Sequence, residues 1–296
     1  MKHTTLSIAS LFVAACLGLS ACSNKVSNPN DANLGIHSIR QIVSEDNKTS
    51  RTIMWQANSK ADFAIEYRES EGSSQKSIAK EISFKEANGN YILYEAKLSS
   101  LKPNATYEYR IINKDSCGAW HKLKTDNGKE FTALVFPDSQ SSDYSGWTKL
   151  VRAAQKRTPE ASFYINMGDL VDNGQDVRQW KAWFESVEPF SDRIPLAPVI
   201  GNHEAYSLDW KFCLPVAYTH LFATPNNGRP DKYPNQFYSF DYGNVHFAVL
   251  DTNFWDEVKE FQPNLKDDQL AWLEKDLSAA KTRWKVVLMH RDIIMY

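Results

Sequence analysis

The chain has 296 residues, 42% of them hydrophobic, and its 34 basic side chains nearly balance 36 acidic ones for a net charge of −2. This length is enough for two domains that each bury a core. The balanced charge lacks the basic excess that attracts nucleic acid, so nucleic acid is not expected as a bulk partner.

Residues 1–22 are predicted to be a lipoprotein signal peptide. The apolar run over residues 6–17 is too short to span a membrane as a helix. It leads into Leu-Ser-Ala-Cys at residues 19–22, which resembles a bacterial lipobox and implies cleavage before Cys22 and lipidation of its thiol. We therefore expect an extracytoplasmic, membrane-anchored protein, in the periplasm or at the cell surface. The alternative is an ordinary secretory signal in which Cys22 is incidental.

Residues 23–34 are polar and are predicted to form a flexible tether. Between residues 35 and 126 short segments alternate hydrophobic and polar side chains, as around Ile65 and Tyr109. This period of two predicts a small antiparallel β-sandwich. Trp55 and the run over residues 101–110 are similar to a fibronectin type III domain.

From residue 127 to residue 296, apolar runs alternate with segments of helical spacing. This alternation predicts a layered αββα domain, so the expected fold class is two-domain α+β. Cys117 and Cys213 lie in different predicted domains. An oxidising compartment would allow a disulfide between them, and two free buried thiols are favoured at least equally.

Polar side chains follow four of the predicted strands directly. They belong to Asp138, Asp169, Asn202 and His290, and the second and third sit in Gly-Asp and Gly-Asn-His-Glu motifs. Ligands gather at the carboxyl ends of strands in such folds. Oxygen and imidazole donors suit Fe, Zn, Mn or Mg, so these residues are candidate metal ligands.

These motifs make the chain similar to calcineurin-like metallophosphoesterases, and closest to the purple acid phosphatase branch. The preceding sandwich, the run over residues 238–247 and Leu250-Asp251-Thr252 carry the same resemblance. It implies two metal ions (Fe, Zn or Mn), bridged by Asp169. Asp138 would bind the first ion, and Asn202 and His290 the second.

The resemblance also implies that His203 is catalytic and faces the leaving-group oxygen. Two cations would acidify a shared water, and the bridging hydroxide would attack phosphorus in line. Glu204 and Asp172 are expected beside the ligands rather than on the metals.

Three departures from the family pattern affect this interpretation. Gln140 replaces the histidine of an Asp-x-His motif and either ligates the first metal weakly or hydrogen-bonds a bound water. Asp172 replaces the tyrosine that colours the purple enzymes, which favours a colourless metal pair. The closing Gly-His-x-His motif does not follow His290 before Tyr296. The sequence is therefore interpreted as part of a longer protein, and this chain is expected to bind metals weakly and turn over poorly.

Other polar residues are interpreted as structural. His220 and His246 are not placed to bind a metal. Arg229 lies in a long loop after the third ligand and is expected to be a solvated surface side chain, with phosphate binding as the alternative.

The predicted function is a phosphomonoesterase acting on a phosphate ester. A phosphodiesterase or nucleotidase, or an inactive surface binding protein, is the alternative. Oligomeric state leaves no signal in the sequence.

Overall fold

The computed structural model describes residues 28–70, 72–114, 116–141, 143–254 and 259–292. The predicted signal peptide, Cys22 and the first part of the predicted tether lie outside the described residues. Within the described ranges, no helix is both long and apolar enough to cross a membrane.

The N-terminal part is a β-sandwich, as the alternation predicts. Trp55 and Tyr94 stack on one sheet with ring centroids 5.7 Å apart, and the facing sheet contributes buried Ile65 and Tyr109 to the same core. Its elements are α1 (Pro29–Asn33), β1 (Ile36–Ile42), β2 (Arg51–Ala57), β3 (Phe63–Glu69), β4 (Gln75–Ile78), β5 (Lys80–Glu81), β6 (Phe84–Glu86), β7 (Gly89–Tyr91), β8 (Leu93–Leu98), β9 (Thr106–Asn113), β10 (Ser116–Cys117) and β11 (His121–Lys124).

Helix α1 corrects the predicted tether, because Pro29–Asn33 dock on the sandwich instead of extending into solvent. The Asn28 side chain caps the helix by accepting from Asn30 N. The Asp31 side chain is buried, accepts a hydrogen bond from Ala119 N at 2.9 Å, and pairs with His121 at 3.1 Å. A polar composition concealed this docking, because the buried contact is made by a carboxylate rather than by an apolar side chain.

The C-terminal part is layered α/β, as predicted. Strands β12, β13 and β14 are parallel, and a second sheet has the order β15-β16-β17. Phe163 and Phe240 pack between the two sheets, while Trp147 and Trp183, from the two longer helices on the outer face, stack on each other in a second core. The elements are β12 (Ala133–Phe136), α2 (Ser145–Arg157), β13 (Phe163–Asn166), α3 (Val177–Ser191), β14 (Leu196–Pro198), α4 (Val216–Leu221), β15 (Tyr238–Tyr242), β16 (Val245–Val249), α5 (Leu265–Ala279) and β17 (Trp284–Leu288).

One sheet is continuous through both parts, in the order β12-β13-β14-β1-β2-β8-β5. Strand β1 of the sandwich runs parallel to β14, with Ile42 opposite Leu196. The buried Gln41 side chain donates to the carbonyls of Lys122 and Asp192, and so ties β1 to β11 and to the end of α3. The sandwich is therefore hydrogen-bonded into the α/β part rather than linked to it by a flexible segment.

Cys117 is exposed and Cys213 is half-buried, and both are free thiols. Of the two alternatives that the sequence leaves open, the structure has the free thiols, but the prediction that both are buried is wrong for Cys117.

Candidate metal centre

The four predicted ligands converge at the carboxyl ends of strands from both sheets. Asp138 follows β12, Asp169 follows β13, Asn202 follows β14 and His290 follows β17. One potential ligand atom from each of Asp138, Asp169 and His290 lies within 4.8 Å of the others. These three side chains can therefore share a cation.

His290 is oriented as a ligand from both sides of its ring. Its Nδ1 donates to the Met167 carbonyl at 2.9 Å, which turns Nε2 towards Asp169 Oδ2 at 3.1 Å and Asn202 Oδ1 at 3.2 Å. Burial lowers the pKa of this imidazole, but the hydrogen bond and charge of Asp169 outweigh burial and raise the pKa to about 9. The surroundings thus favour positive charge at the point where a metal would replace the proton.

The backbone around Asp169 is unusually tight. Asp169 has φ +48° and follows Gly168 at φ +100°, conformations that disfavour a side chain. A Cβ on Gly168 would lie 2.5 Å from the His290 ring, and one on Gly201 would lie 2.2 Å from Asp169 N. The glycines of both motifs are therefore required for close approach of the ligand-bearing segments.

Glu204 holds the turn that carries Asp169. Its buried carboxylate accepts hydrogen bonds from the amides of Gly201, Asp169, Leu170 and Val171, at 2.7 to 3.2 Å. Burial and the neighbouring Asp169 charge raise the pKa of Glu204 to about 8, against the opposing effect of the donated amides. Glu204 thus contacts the backbone of the ligand turn.

His203 is fixed by the Gly-Asp loop. Its amide donates to Asp169 Oδ1 at 2.9 Å, and its Nδ1 donates to the Asp172 carbonyl at 2.7 Å. The Asp172 carboxylate lies 3.4 Å from the same nitrogen. Nδ1 is therefore protonated, and Nε2 remains for an external partner.

Gln140 has an unsatisfied acceptor. Its backbone amide donates to the Asp169 carbonyl at 3.0 Å, whereas its side-chain Oε1 is buried without a hydrogen-bond partner among the described residues. A buried amide oxygen without a donor is unfavourable unless a cation or a water satisfies it. The orphaned oxygen, together with the oxygen and imidazole donors, fits a metal centre and leaves both sequence alternatives for Gln140 open.

Arg291 and Asn253 reach the centre without having been predicted. Arg291 Nε donates to Asn202 Oδ1 at 3.1 Å, and Asn253 Nδ2 donates to the Gly201 carbonyl at 3.0 Å. The only sequence signal for Arg291 is that it directly follows His290. Asn253 has none, because its position depends on how the two sheets meet.

The structure corrects both readings of Arg229, which is neither solvated nor placed as a phosphate ligand. Its guanidinium is buried against the carbonyls of Pro225 and Phe237, and burial lowers its pKa to about 10. His246 bonds Asp241 and Asp276, and His220 bonds the Val216 carbonyl. These contacts match the structural roles that the sequence favours for both histidines.

Comparison with known proteins identifies the two parts of the chain. Residues 120–295 match the family described as calcineurin-like phosphoesterase, which is more than half of the chain. The chain belongs to the calcineurin-like phosphoesterase family. Residues 37–125 match the purple acid phosphatase N-terminal domain, so this phosphoesterase chain carries the sandwich of that branch.

Plant enzymes are among its sequence relatives. Purple acid phosphatase 23 of Arabidopsis thaliana is 34% identical over 38% of this chain and 23% of its own length. Probable inactive purple acid phosphatase 1 of the same plant is 28% identical over 67% of this chain and 36% of its own length. The chain thus spans less than half the length of these curated relatives.

Solved structures support the same fold. The purple acid phosphatase PPD1 of yellow lupin (Lupinus luteus) superimposes with a TM-score of 0.71 at 18% identity, covering 87% of this chain and 51% of the lupin chain. A structure of PhoD superimposes with a TM-score of 0.56 at 16% identity, covering 86% of this chain and 61% of that chain. These likenesses establish the arrangement of the sandwich and the α/β layers.

Proposed function

We propose that the protein is a metal-dependent phosphomonoesterase. The observation that carries the proposal is the convergence of Asp138, Asp169 and His290, with potential ligand atoms within 4.8 Å, in a calcineurin-like chain. Asn202 Oδ1, at 3.2 Å from His290 Nε2, completes a set of oxygen and nitrogen donors. Such a set suits Fe, Zn or Mn.

The proposed centre would hold two metal ions through the side chains of Asp138, Asp169, Asn202 and His290. When bound, the ions supply Lewis-acid activation of a water and of the phosphoryl group for in-line hydrolysis. The chain's own contribution is to fix these side chains, through Glu204 beneath Asp169 and through the Met167 carbonyl behind His290.

His203 is proposed to protonate the leaving alkoxide. The Asp172 carbonyl occupies Nδ1, so Nε2 is the nitrogen available to the substrate. The Asp172 carboxylate, 3.4 Å from the same Nδ1, helps to fix the orientation of the ring. General acid catalysis of this kind contributes roughly 10²- to 10⁴-fold.

Metal content and leaving-group dependence test the proposal. With Fe, Zn or Mn, the full-length protein should hydrolyse p-nitrophenyl phosphate and glycerol phosphate. Asn202→Ala should lower bound metal and both rates. His203→Gln should keep its metal and lose roughly 10²-fold or more in kcat on glycerol phosphate, but much less on the p-nitrophenyl ester, whose leaving group needs no proton.

Asn244→Ala, in an exposed turn, is the matched control and should behave as wild type. Equal losses on both substrates in His203→Gln would contradict the acid role. Faster hydrolysis of bis(p-nitrophenyl) phosphate than of the monoester would favour a phosphodiesterase. Absence of hydrolysis with metal bound would favour an inactive phosphatase-like binding protein, a class to which the name of one relative points.

We further propose that the protein is anchored to a membrane outside the cytoplasm through a lipid on Cys22. The support is the Leu-Ser-Ala-Cys sequence after an apolar run. Metabolic labelling with palmitate should mark the wild-type protein and not Cys22→Ser. Equal labelling of both proteins would exclude Cys22 as the anchor.

A further inference from the structure

A short hairpin places exposed aromatic side chains beside His203. Tyr206 and Phe212 form a bridge, Ser207 N donates to the Lys211 carbonyl, and Cys213 N donates to the Ala205 carbonyl. We refer to residues 206–213 as the aromatic hairpin. It follows the Gly-Asn-His-Glu motif directly, so its position relative to His203 is set by only a few residues of chain.

The rings of this hairpin cluster around Tyr206 and reach the surface. Phe212 stacks on Tyr206 with centroids 5.0 Å apart, and Tyr206 lies 5.1 Å from the His203 ring. Trp210 lies 5.7 Å from Tyr206 and 6.4 Å from His203, and remains 54% exposed. The Trp210 ring therefore exposes indole surface to solvent, and its centroid lies 6.4 Å from the ring of His203, the proposed acid.

The hairpin is held in place from below. Asn173 Nδ2 donates to the Ser207 carbonyl at 2.6 Å, and Leu208 N donates to Gln175 Oε1 at 3.1 Å. Gln175 in turn donates to Glu86 of the sandwich at 2.7 Å. Because the same loop also fixes His203 through Asp172, the acid and the Trp210 platform share one support, and a ligand would meet a preorganised surface.

The charges on the aromatic hairpin indicate which chemical group of a ligand it would bind. Lys211, the basic residue of the hairpin, pairs with Asp209 at 2.8 Å, and the neighbouring side chains Leu208 and Phe212 are apolar and partly exposed. A second phosphate would gain little here. A flat ring would gain by stacking, since aromatic faces bind the π-face of any base.

We propose that Trp210 binds a flat ring carried by the leaving alcohol, so that the preferred substrates are monoesters of the nucleoside monophosphate type. The proposal rests on the proposed function, because it assigns the leaving-group side to His203. Trp210 is then a specificity residue that acts on the alcohol and not on the phosphoryl group.

Adenosine 5′-monophosphate and ribose 5-phosphate test this, because they share the same primary alkoxide and differ only in the base. Wild type should favour the nucleotide in kcat/KM by about 10-fold, the range expected for one stacked base. Trp210→Ala should remove this preference, so that kcat/KM falls about 10-fold more for the nucleotide than for ribose 5-phosphate, while Trp210→Phe should keep most of the preference. Trp284→Ala, which removes an equally exposed tryptophan on β17, is the matched control.

Binding is measured in parallel by equilibrium titration with the same two compounds. Tighter binding of the nucleotide, abolished in Trp210→Ala, supports the inference even if neither compound is hydrolysed, an outcome that overturns only the proposed function. Equal kcat/KM and equal affinity for the two compounds in wild type overturn the inference. A Trp210→Ala loss of the same size on both compounds also overturns it.

Discussion

At the scale of single residues, the turn that carries Asp169 depends on a neighbouring glycine, because there is no space there for a side chain. Asp169 keeps a positive φ while its amide and carboxylate lie against Gly201, at a distance that leaves no space for a methyl group. Glu204 compensates by accepting amides from both segments. The candidate site is therefore built on backbone packing as much as on ligand identity.

Gly201→Ala should disrupt this packing. A Cβ at 2.2 Å from Asp169 must displace the ligand turn, so we expect a loss of about 2 kcal/mol or more in the free energy of unfolding and weaker metal binding. Gly146→Ala is the control, because a Cβ there meets nothing within 4 Å in the first turn of α2. It should be neutral or stabilising by up to about 1 kcal/mol. Urea denaturation and metal analysis measure both, and equal behaviour of the two variants would contradict the packing argument.

Glu204→Gln should also destabilise the protein, although it only replaces one carboxylate oxygen with an NH₂ group. Each carboxylate oxygen of Glu204 accepts from two backbone amides, so an NH₂ group would face two donors. Above the Glu204 pKa of about 8, where the carboxylate is ionised, we expect a loss of about 2 kcal/mol in the free energy of unfolding, measured by urea denaturation at about pH 9. Glu185→Gln, at an exposed carboxylate, should change it by less than about 0.5 kcal/mol. A Glu204→Gln protein as stable as wild type would refute this role.

The sequence predicts which side chains gather here better than how they are held. Asp138, Asp169, Asn202 and His290 each follow an apolar run, and the structure brings them together. Arg291 and Asn253 were missed because their contacts are long-range and leave no local pattern. Arg229 was misread because burial against carbonyls depends on how its loop closes, which composition does not encode.

At the scale of elements, α1, β11 and α3 meet around one buried histidine. His121 Nε2 lies 3.1 Å from Asp31 and its Nδ1 lies 2.8 Å from Asp192, which follows α3. Burial lowers the pKa of this imidazole, but the two carboxylates outweigh it and raise the pKa to about 9. A charged triad therefore joins the N-terminal helix and the sandwich to the α/β part.

This triad should make stability depend on pH. Because the folded-state pKa is raised, the stabilisation by His121 is complete below the unfolded value of about 6.5 and is lost as pH rises through about 9. The difference in free energy of unfolding between wild type and His121→Gln should therefore shrink by on the order of 2 kcal/mol between about pH 6 and about pH 9.5.

Thermal or urea denaturation at the two pH values measures this difference. The pKa of His246 is also raised, but this residue titrates in both proteins, so its contribution cancels in the difference in free energy of unfolding. Lys122→Gln, at an exposed neighbouring position, should show no such pH-dependent difference. A constant difference between wild type and His121→Gln across the range would show that the triad is not charged.

Most elements follow from sequence periodicity, and the exceptions are physically clear. The alternation around Ile65 predicts β3, and its inward side chains are buried. Helix α1 escapes prediction because it is short and its buried residue is Asp31. The sequence predicts only a long loop where the aromatic hairpin lies, since the form of the hairpin depends on cross-strand bonds and on Asn173 and Gln175.

At the scale of the whole molecule, one sheet crosses the two parts that the sequence treats as separate domains. Period-two alternation ends and helical spacing begins near residue 126, which suggests a boundary there. Yet β1 pairs with β14, and Gln41 donates two buried hydrogen bonds across the junction. Pairing between distant strands cannot be read from local patterns.

We therefore expect the described part of the chain to unfold in a single transition. Far-UV circular dichroism and tryptophan fluorescence should give the same urea midpoint, because the sandwich and the α/β part share a sheet. Gln41→Ala removes a donor from the Lys122 carbonyl and one of two donors from the Asp192 carbonyl, which also accepts from the Tyr109 hydroxyl. It should lower both midpoints together, by about 1 to 2 kcal/mol in free energy. Two separated transitions, or a midpoint shift in one probe alone, would show that the parts unfold independently.

The β1–β14 pairing also bears on the order in which the polypeptide is synthesised. Ile42 leaves the ribosome long before Leu196, its partner in the sheet, so one edge of β1 stays open while more than half of the chain is still being made. Open edges pair readily with other chains, and contacts between distant segments form slowly. Newly made protein should therefore depend on a chaperone over this interval.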